Sequence, residues 1–309
     1  MKIISFVTVK KSPGSSSNAK VGIMTEKGII DFSAGFQTYL LREKGKRISV
    51  PNSVSTLMEQ GLFDQNIFRT VKTLVEKDES IKKKLYFEFN EVKLKPPISR
   101  PGKIIALGRN YAAHARETGD PIPSEPIIFQ KASSAVIGPD EPIIYHNGLT
   151  RVDPEVELAV VIGKRATKIS AGEAEKVIAG YTIMNDITAR DMQTQDIELR
   201  NPWFRSKSMD TFAPLGPCIV LTDEINMPVE LNLELQVNGE VRQKDNTRNM
   251  IFKIPQLIEY ISHHLTLEAG DIISTGTPEG IKPIQPGDVV EAIIEKIGCL
   301  RNPVIKECI

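Results

Sequence analysis

The sequence is short of cysteine, histidine and tryptophan, and it has no net charge. Its 309 residues include three cysteines, four histidines and one tryptophan, and thirty-nine basic side chains balance thirty-nine acidic ones. Cys218, Cys299 and Cys308 are widely spaced and odd in number, which argues against a disulfide framework and for a reducing compartment. Without a C-x-x-C pair there is no cysteine-based metal site either. Neutral charge with no basic block provides no field for nucleic acid or an anionic membrane. No stretch approaches the roughly 20 apolar residues that a membrane span requires. Walker-type, G-x-G-x-x-G, H-E-x-x-H and G-x-S-x-G motifs are absent, as are internal repeats. The expectation is a soluble, cytoplasmic protein of one large domain, or one large and one small.

Met1-Lys2 and the apolar residues to Val9 look a little like a secretion signal, but they lack a small-residue cleavage site and run into Lys10-Lys11, so they read as a first strand. Ala19–Met24 and Gly28–Asp31 read as further strands, with a turn at Pro13-Gly14-Ser15-Ser16-Ser17-Asn18. Asn52 or Ser53 is placed to cap a helix stopping at Gly61. Ile67, Phe68, Val71, Leu74 and Val75 recur at helical spacing, and the charged run Glu76–Lys84 reads as that helix's solvated end. Nothing here carries chemistry. Pro96, Pro97 and Pro101 stiffen a connector, giving a small α+β domain at 1–95 and a catalytic domain at 96–309.

The catalytic part centres on Arg151–Asp191. Glu155-Val156-Glu157-Leu158-Ala159-Val160-Val161-Ile162 reads as a strand ended by Gly163. Side chains alternate along a strand, so Glu155 and Glu157 share a face, roughly 7 Å apart along the chain. An E-x-E pair on a strand is commonly a solvated outer face, but the continuous apolar run that follows is the pattern of a buried one. Two buried carboxylates need a cation, which a Lys, an Arg or a hard divalent ion can supply. Asp186, after the strand Tyr181–Asn185, is the candidate third ligand. Between the two strands, Ser170-Ala171-Gly172-Glu173 is a capping box opening a helix that ends near Gly180.

Elsewhere, Lys103–Gly108 reads as a buried strand feeding Arg109–Glu117. His114 and Glu117 stand one helical turn apart, as a surface pair or as a carboxylate-oriented general base. Lys131 either neutralises an acidic pocket or snorkels to solvent, and Asp191 pairs locally with Arg190. Met192–Asp210 lacks periodicity and reads as a functional loop, within which Lys207 is either a solvated lysine or a cation stabilising a developing oxyanion. Leu231, Leu233, Leu235 and Val237 alternate into an Asn238-Gly239 hairpin turn. Ile254, Leu257, Ile258 and Ile261 mark a helix with His263 and His264 as structural residues at its C-terminal end. The small-residue turn Ser274–Gly280 offers backbone N–H and hydroxyl groups to a carboxylate.

As an ordered set these segments resemble the fumarylacetoacetate hydrolase family. The blocks are G-R-N-Y-x-x-H-x-x-E at 108–117, E-V-E-L-A-V-V-I-G-K at 155–164, G-Y-T-I-M-N-D-I-T-A-R-D-M-Q at 180–193, K-S-M-D-T-F-A-P-L-G-P at 207–217, V-N-G-E at 237–240 and G-D-I-I-S-T-G-T-P-E-G at 270–280. The resemblance implies an α+β fold, a mixed β-roll catalytic domain, usually homodimeric, with Mg²⁺ (or Mn²⁺) held by Glu155, Glu157 and Asp186. It makes His114 and Glu117 the water-activating dyad and Lys207 the cation at the enolate. Gln193 stands beside Lys207, Arg109 and Tyr111 fall in the substrate-binding block, and Thr277 with the Gly276 backbone contacts the substrate carboxylate. Leu107-Gly108-Arg109-Asn110 lacks the fourth metal carboxylate of the animal enzyme, which places the chain in the three-carboxylate, acylpyruvase-like branch. Ile281-Lys282 departs from the Val-Gly common in relatives. The implied activity is C–C bond cleavage in a small 2-oxo acid, such as an acylpyruvate or oxaloacetate, through a metal-stabilised enolate. A hydroxymuconate-type isomerase would use the same parts, and a metabolite-binding protein without turnover is the non-enzymatic alternative.

Overall fold

The computed structural model describes residues 1–9, 18–117, 119 and 121–308, so most of the turn expected at 13–18 lies outside the described residues. The fold is α+β and is built around one strand, Val156–Ile162, all seven of whose residues are buried. It is covered on both faces. Val156, Leu158, Val160 and Ile162 belong to one apolar core, while Ala159 and Val161 belong to a second. This explains the unbroken apolar run, because only a strand sandwiched between two layers needs apolar residues at every position.

On one side the central strand pairs antiparallel with Ile178–Asn185, Glu157 opposite Met184. On the other it pairs antiparallel with Ile272–Ser274. The sheet continues through Ile104–Gly108 and Ile127–Lys131 in one direction and through Ala213–Leu221 in the other, with twelve strands in all among the described residues. A second sheet of five strands contains the hairpin Asn232–Val237 and Glu240–Asn246, joined as expected by Asn238 and Gly239 at φ 52° and 80°.

The Pro96-Pro97 connector does not interrupt the main sheet. Lys2–Thr8 pairs antiparallel with Ala213–Leu221, Lys2 opposite Val220. Val71 and Ile104, from either side of the connector, share a core. Residues 1–95 therefore supply their own helices but an extension of a common sheet.

Several elements differ from the sequence expectation. Phe32–Lys44 is a helix, capped by the Asp31 side chain and ended by Gly45 at φ 61°. Its buried residues, Phe32, Ser33, Gly35 and Phe36, crowd its first turns instead of forming a stripe. A Cβ at Gly35 would lie 2.6 Å from the Val71 side chain, so glycine lets two helices meet. The run after Glu76 is not a frayed end: Asp78 accepts from the Ser80 and Ile81 N–H groups and starts a new helix, Glu79–Leu85. The capping box at Ser170 opens a 3₁₀ segment that stops at Val177, and Gly180 lies inside the next strand. The supposed loop 192–210 takes in most of the helix Arg190–Glu198 and all of the short helix Phe204–Lys207. Its inward positions, Gln193 and Asp196, are polar, so no apolar periodicity announced it.

Gly180 is where the central sheet is tightest, since a Cβ there would sit 2.3 Å from the Val220 carbonyl oxygen. Gly180→Ala is expected to cost about 1–3 kcal/mol, read as a lower urea midpoint. An unchanged midpoint would show that the two strands can part without loss.

Candidate active site and metal centre

Three carboxylates converge at one end of the central strand. Glu155 immediately precedes it, Glu157 is its second residue, and Asp186 directly follows the partner strand. The Asp186 N–H donates to the Glu155 carbonyl at 2.8 Å and the Glu155 N–H to Asn185 Oδ1 at 2.9 Å, locking the two strand ends together. One oxygen from each of Glu155, Glu157 and Asp186 lies within 4.8 Å of the others, and all three residues are buried.

Their surroundings divide the charge unequally. Burial would raise the Glu155 pKa, but Lys207 and then Arg190 hold it well below the usual carboxylate range. Lys207 Nζ donates to Glu155 Oε2 at 2.8 Å and to Asp186 Oδ2 at 2.6 Å. Burial opposes charge on Lys207 too, yet Asp186 and Glu155 keep it cationic by raising its pKa. Glu157 has no such partner among the described residues. The Ser274 hydroxyl (2.5 Å) and the Gly276 N–H (2.8 Å) donate to its Oε2. Burial, then Asp186 and Glu155, push its carboxyl up to about 8.

Of the three carboxylates, Glu157 is the one held by neutral donors alone. Three hard oxygen donors, two compensated and one not, suit Mg²⁺ or Mn²⁺ and do not suit a soft metal. The donor set therefore fits the group that the family resemblance implies.

Two further residues support the triad, Lys131 in one of the two roles expected of it and Arg190 in a role the sequence did not reveal. Lys131, fully buried, donates to Asp186 Oδ1 at 2.5 Å, to the Ile187 carbonyl at 3.2 Å and to the Lys207 carbonyl. Of its two expected roles, the structure selects charge compensation. Arg190 donates to Asp153 Oδ2 at 2.7 Å, to Gln193 Oε1 at 2.6 Å and to Glu155 Oε1. It does not pair with Asp191, which accepts from the Thr150 hydroxyl instead.

The triad opens into a cleft of about 590 Å³ whose walls include Arg109, His114, Glu117, Glu155, Glu157, Gln193, Lys207 and Thr277. His114 and Glu117 share the helix Ala112–Glu117, with Nδ1 3.4 Å from Glu117 Oε2. The Glu117 carboxylate also accepts from the Gly280 N–H at 3.0 and 3.1 Å. Arg109, at φ 57°, lays its guanidinium 5.8 Å from the Trp203 ring centre.

Three substrate contacts expected from the sequence sit differently. Tyr111 is 1% exposed, belongs to the apolar core and does not line the cleft. The Gly276 N–H is already given to Glu157. The Thr277 hydroxyl donates to the Val156 carbonyl at 2.9 Å, so it braces the acidic strand. Gly276 is required by its turn: φ is 91°, and a Cβ would lie 2.8 Å from that of Asn110. Asn110, also unrecognised, donates to the Thr275 carbonyl at 2.8 Å and accepts from the Phe252 N–H at 2.8 Å, tying the His114 segment to this turn.

Residues 103–305 match the fumarylacetoacetate (FAA) hydrolase C-terminal family. The chain belongs to the fumarylacetoacetate hydrolase family. It is 45% identical over 225 residues, 70% of each chain, to the mitochondrial oxaloacetate tautomerase FAHD2A of Bos taurus. Among solved structures it is similar to the 5-carboxymethyl-2-hydroxymuconate delta-isomerase of Mycobacterium smegmatis, at 32% identity, TM-score 0.72 and full coverage of both chains. It is also similar to the maleylpyruvate hydrolase of a Sphingobium species in complex with manganese(II) and pyruvate, at 28% identity, TM-score 0.74 and full coverage of both. The relatives of this family named here act as a tautomerase, an isomerase and a hydrolase. The α+β fold expected from the sequence is the fold of the family.

Two outcomes follow from the proton on Glu157. Between pH about 4.5 and 8 the folded, metal-free protein binds a proton that the unfolded chain has lost, so its stability falls as pH rises through that window. Metal uptake near neutral pH should release close to one proton, seen as a heat of binding that changes with the ionisation enthalpy of the buffer. Glu157→Gln imitates the protonated form, so the metal-free variant should melt near the parent. The roughly 2.7 kcal/mol that metal at a hundred times Kd gives the parent should vanish. A variant still stabilised by metal would remove Glu157 from the ligand set.

Proposed function

We propose that this protein is a divalent-metal-dependent isomerase of small 2-oxo acids, tautomerising an oxaloacetate-type substrate by moving a proton at the carbon beside the 2-oxo group. The observation that carries it is one cleft holding a hard-oxygen triad, a buried ammonium and a carboxylate-oriented imidazole. A Mg²⁺ or Mn²⁺ ion held by Glu155, Glu157 and Asp186 would supply a Lewis acid and a template for the 2-oxo carboxylate.

The chain's own groups then divide the work. Glu117 orients the His114 ring through Nδ1, and Nε2 is the nitrogen that would take the proton from carbon or return it. The Lys207 ammonium, kept charged by Asp186 and Glu155, stands beside the triad where negative charge develops on the substrate oxygen. Lys131 fixes the Lys207 backbone, so that charge is positioned before substrate arrives. The 45% identity to an oxaloacetate tautomerase supports this choice among the family's reactions.

A second reading is C–C bond cleavage, of an acylpyruvate by hydrolysis or of oxaloacetate by decarboxylation. It is favoured by the same His114–Glu117 geometry, which suits activation of water, in a cleft of about 590 Å³ with room for water beside a small acid. Both readings pass through one enolate, which Lys207 would steady in either case.

The test is a substrate panel with added Mg²⁺ or Mn²⁺: enol oxaloacetate followed by its ultraviolet absorbance, pyruvate release from acetylpyruvate, and tautomerisation of a 2-hydroxymuconate. Lys207→Ala should lower kcat for whichever substrate turns over by about 10²–10³-fold, and His114→Ala by about 10²–10⁴-fold. Acetylpyruvate turnover without tautomerase activity would install cleavage as the function. No turnover of any of the three, with metal bound, would make this a binding protein on an enzyme fold.

A further inference from the structure

The wall of the cleft holds charges that the reaction just described does not use, and Arg151 is one of them. Arg151 lines the cleft and donates from Nε to both Asp153 oxygens, at 3.0 and 3.1 Å. Asp153 is fully buried and also accepts from Arg190 at 2.7 Å. One carboxylate thus faces two guanidiniums. Arg190 spends its remaining donors inward on Glu155 and Gln193, and its side chain is only 15% exposed. The Arg151 side chain is 42% exposed and lines the cleft, so its charge is the one this group presents on the cleft side.

We propose that Arg151 determines specificity by receiving the second carboxylate of a dianionic 2-oxo acid. The proposal rests on the 2-oxo acid reading of the site and adds the class of its far end. Three features support it. A guanidinium matches a carboxylate with paired donors in one plane. Asp153 holds Arg151 by Nε, which orders the side chain in advance while leaving its terminal nitrogens for a ligand. Asp153 and Arg190 link it to Glu155, so the far-end cation and a ligand of the triad belong to one hydrogen-bonded group with a fixed separation. A monoanionic acylpyruvate would leave the terminal nitrogens of this cation without a ligand, and a site built for a charged group discriminates against a substrate that lacks it.

The experiment compares the full-length parent with Arg151→Gln and Arg151→Lys, metal-loaded, on oxaloacetate and on acetylpyruvate. For Arg151→Gln the ratio of kcat/KM for oxaloacetate to that for acetylpyruvate should fall at least tenfold, through KM and not kcat, and Arg151→Lys should restore part of it. A second arm needs no turnover: calorimetric binding of oxalate, which spans only the triad end, against 2-oxoglutarate, which carries a distant carboxylate. Arg151→Gln should weaken 2-oxoglutarate at least tenfold more than oxalate. Equal weakening of both ligands, or of neither, overturns the proposal, as does an unchanged substrate ratio. Absence of turnover in the parent would count against the enzymatic reading alone, since the binding arm still decides the role of Arg151.

Discussion

Everything at this site follows from burying negative charge at the end of a strand that is apolar on both faces. A lone ionised carboxylate in such a place is costly, and three would be prohibitive without compensation. The fold meets this with three cations of its own, Lys131, Lys207 and Arg190, arranged around Asp186 and Glu155. Glu157 is left with neutral donors, and its carboxyl holds its proton to about 8. The imbalance is chemically useful. A divalent ion would enter where the protein's own cations are missing, and deprotonating Glu157 on entry would link occupancy to proton release.

How much of this could be read from the sequence depended on whether the signal was local. Glu155, Glu157 and Asp186 were legible because a strand's two-residue period and the apolar run after it can be seen without a fold. The His114–Glu117 pair was legible for the same reason, at helical spacing. Arg190 and Lys131 acquire their roles only through contacts with Asp153, Glu155 and Asp186, which the chain brings together from 35 to 55 residues away. Nothing near them in sequence says so, and Arg190 beside Asp191 suggested a local pair that does not form.

The helices missed or misread share a physical cause. A helix announces itself by an apolar stripe, and Arg190–Glu198 buries polar residues instead. Gln193 faces Arg190, and Asp196 accepts from Arg205 at 2.8 Å. This helix is a wall of the site, so its inner face is polar and the pattern disappears. The proline connector was visible, whereas the pairing of Lys2 with Val220 across it was not, because strand pairing over more than two hundred residues leaves no local trace. Several of the segments that defeated periodicity carry or support the chemistry, which is where local rules yield to function.

One short turn ties the His114–Glu117 pair to the acidic triad. Gly276 donates to Glu157, Thr277 braces the Val156 carbonyl, and Gly280 donates to the Glu117 carboxylate that orients His114. Five residues thus anchor a ligand of the triad, the strand that carries it and the dyad on the facing helix. Asn110 closes the loop from the other side, joining the strand before His114 to Thr275. Such a frame holds the His114–Glu117 pair in a set place relative to Glu155, Glu157 and Asp186, which is what the proposed proton transfer at a substrate carbon would require. In the proposed reaction the fate of the enolate would be decided farther out, by which groups at the cleft wall hold the rest of the substrate and whether water is admitted beside His114.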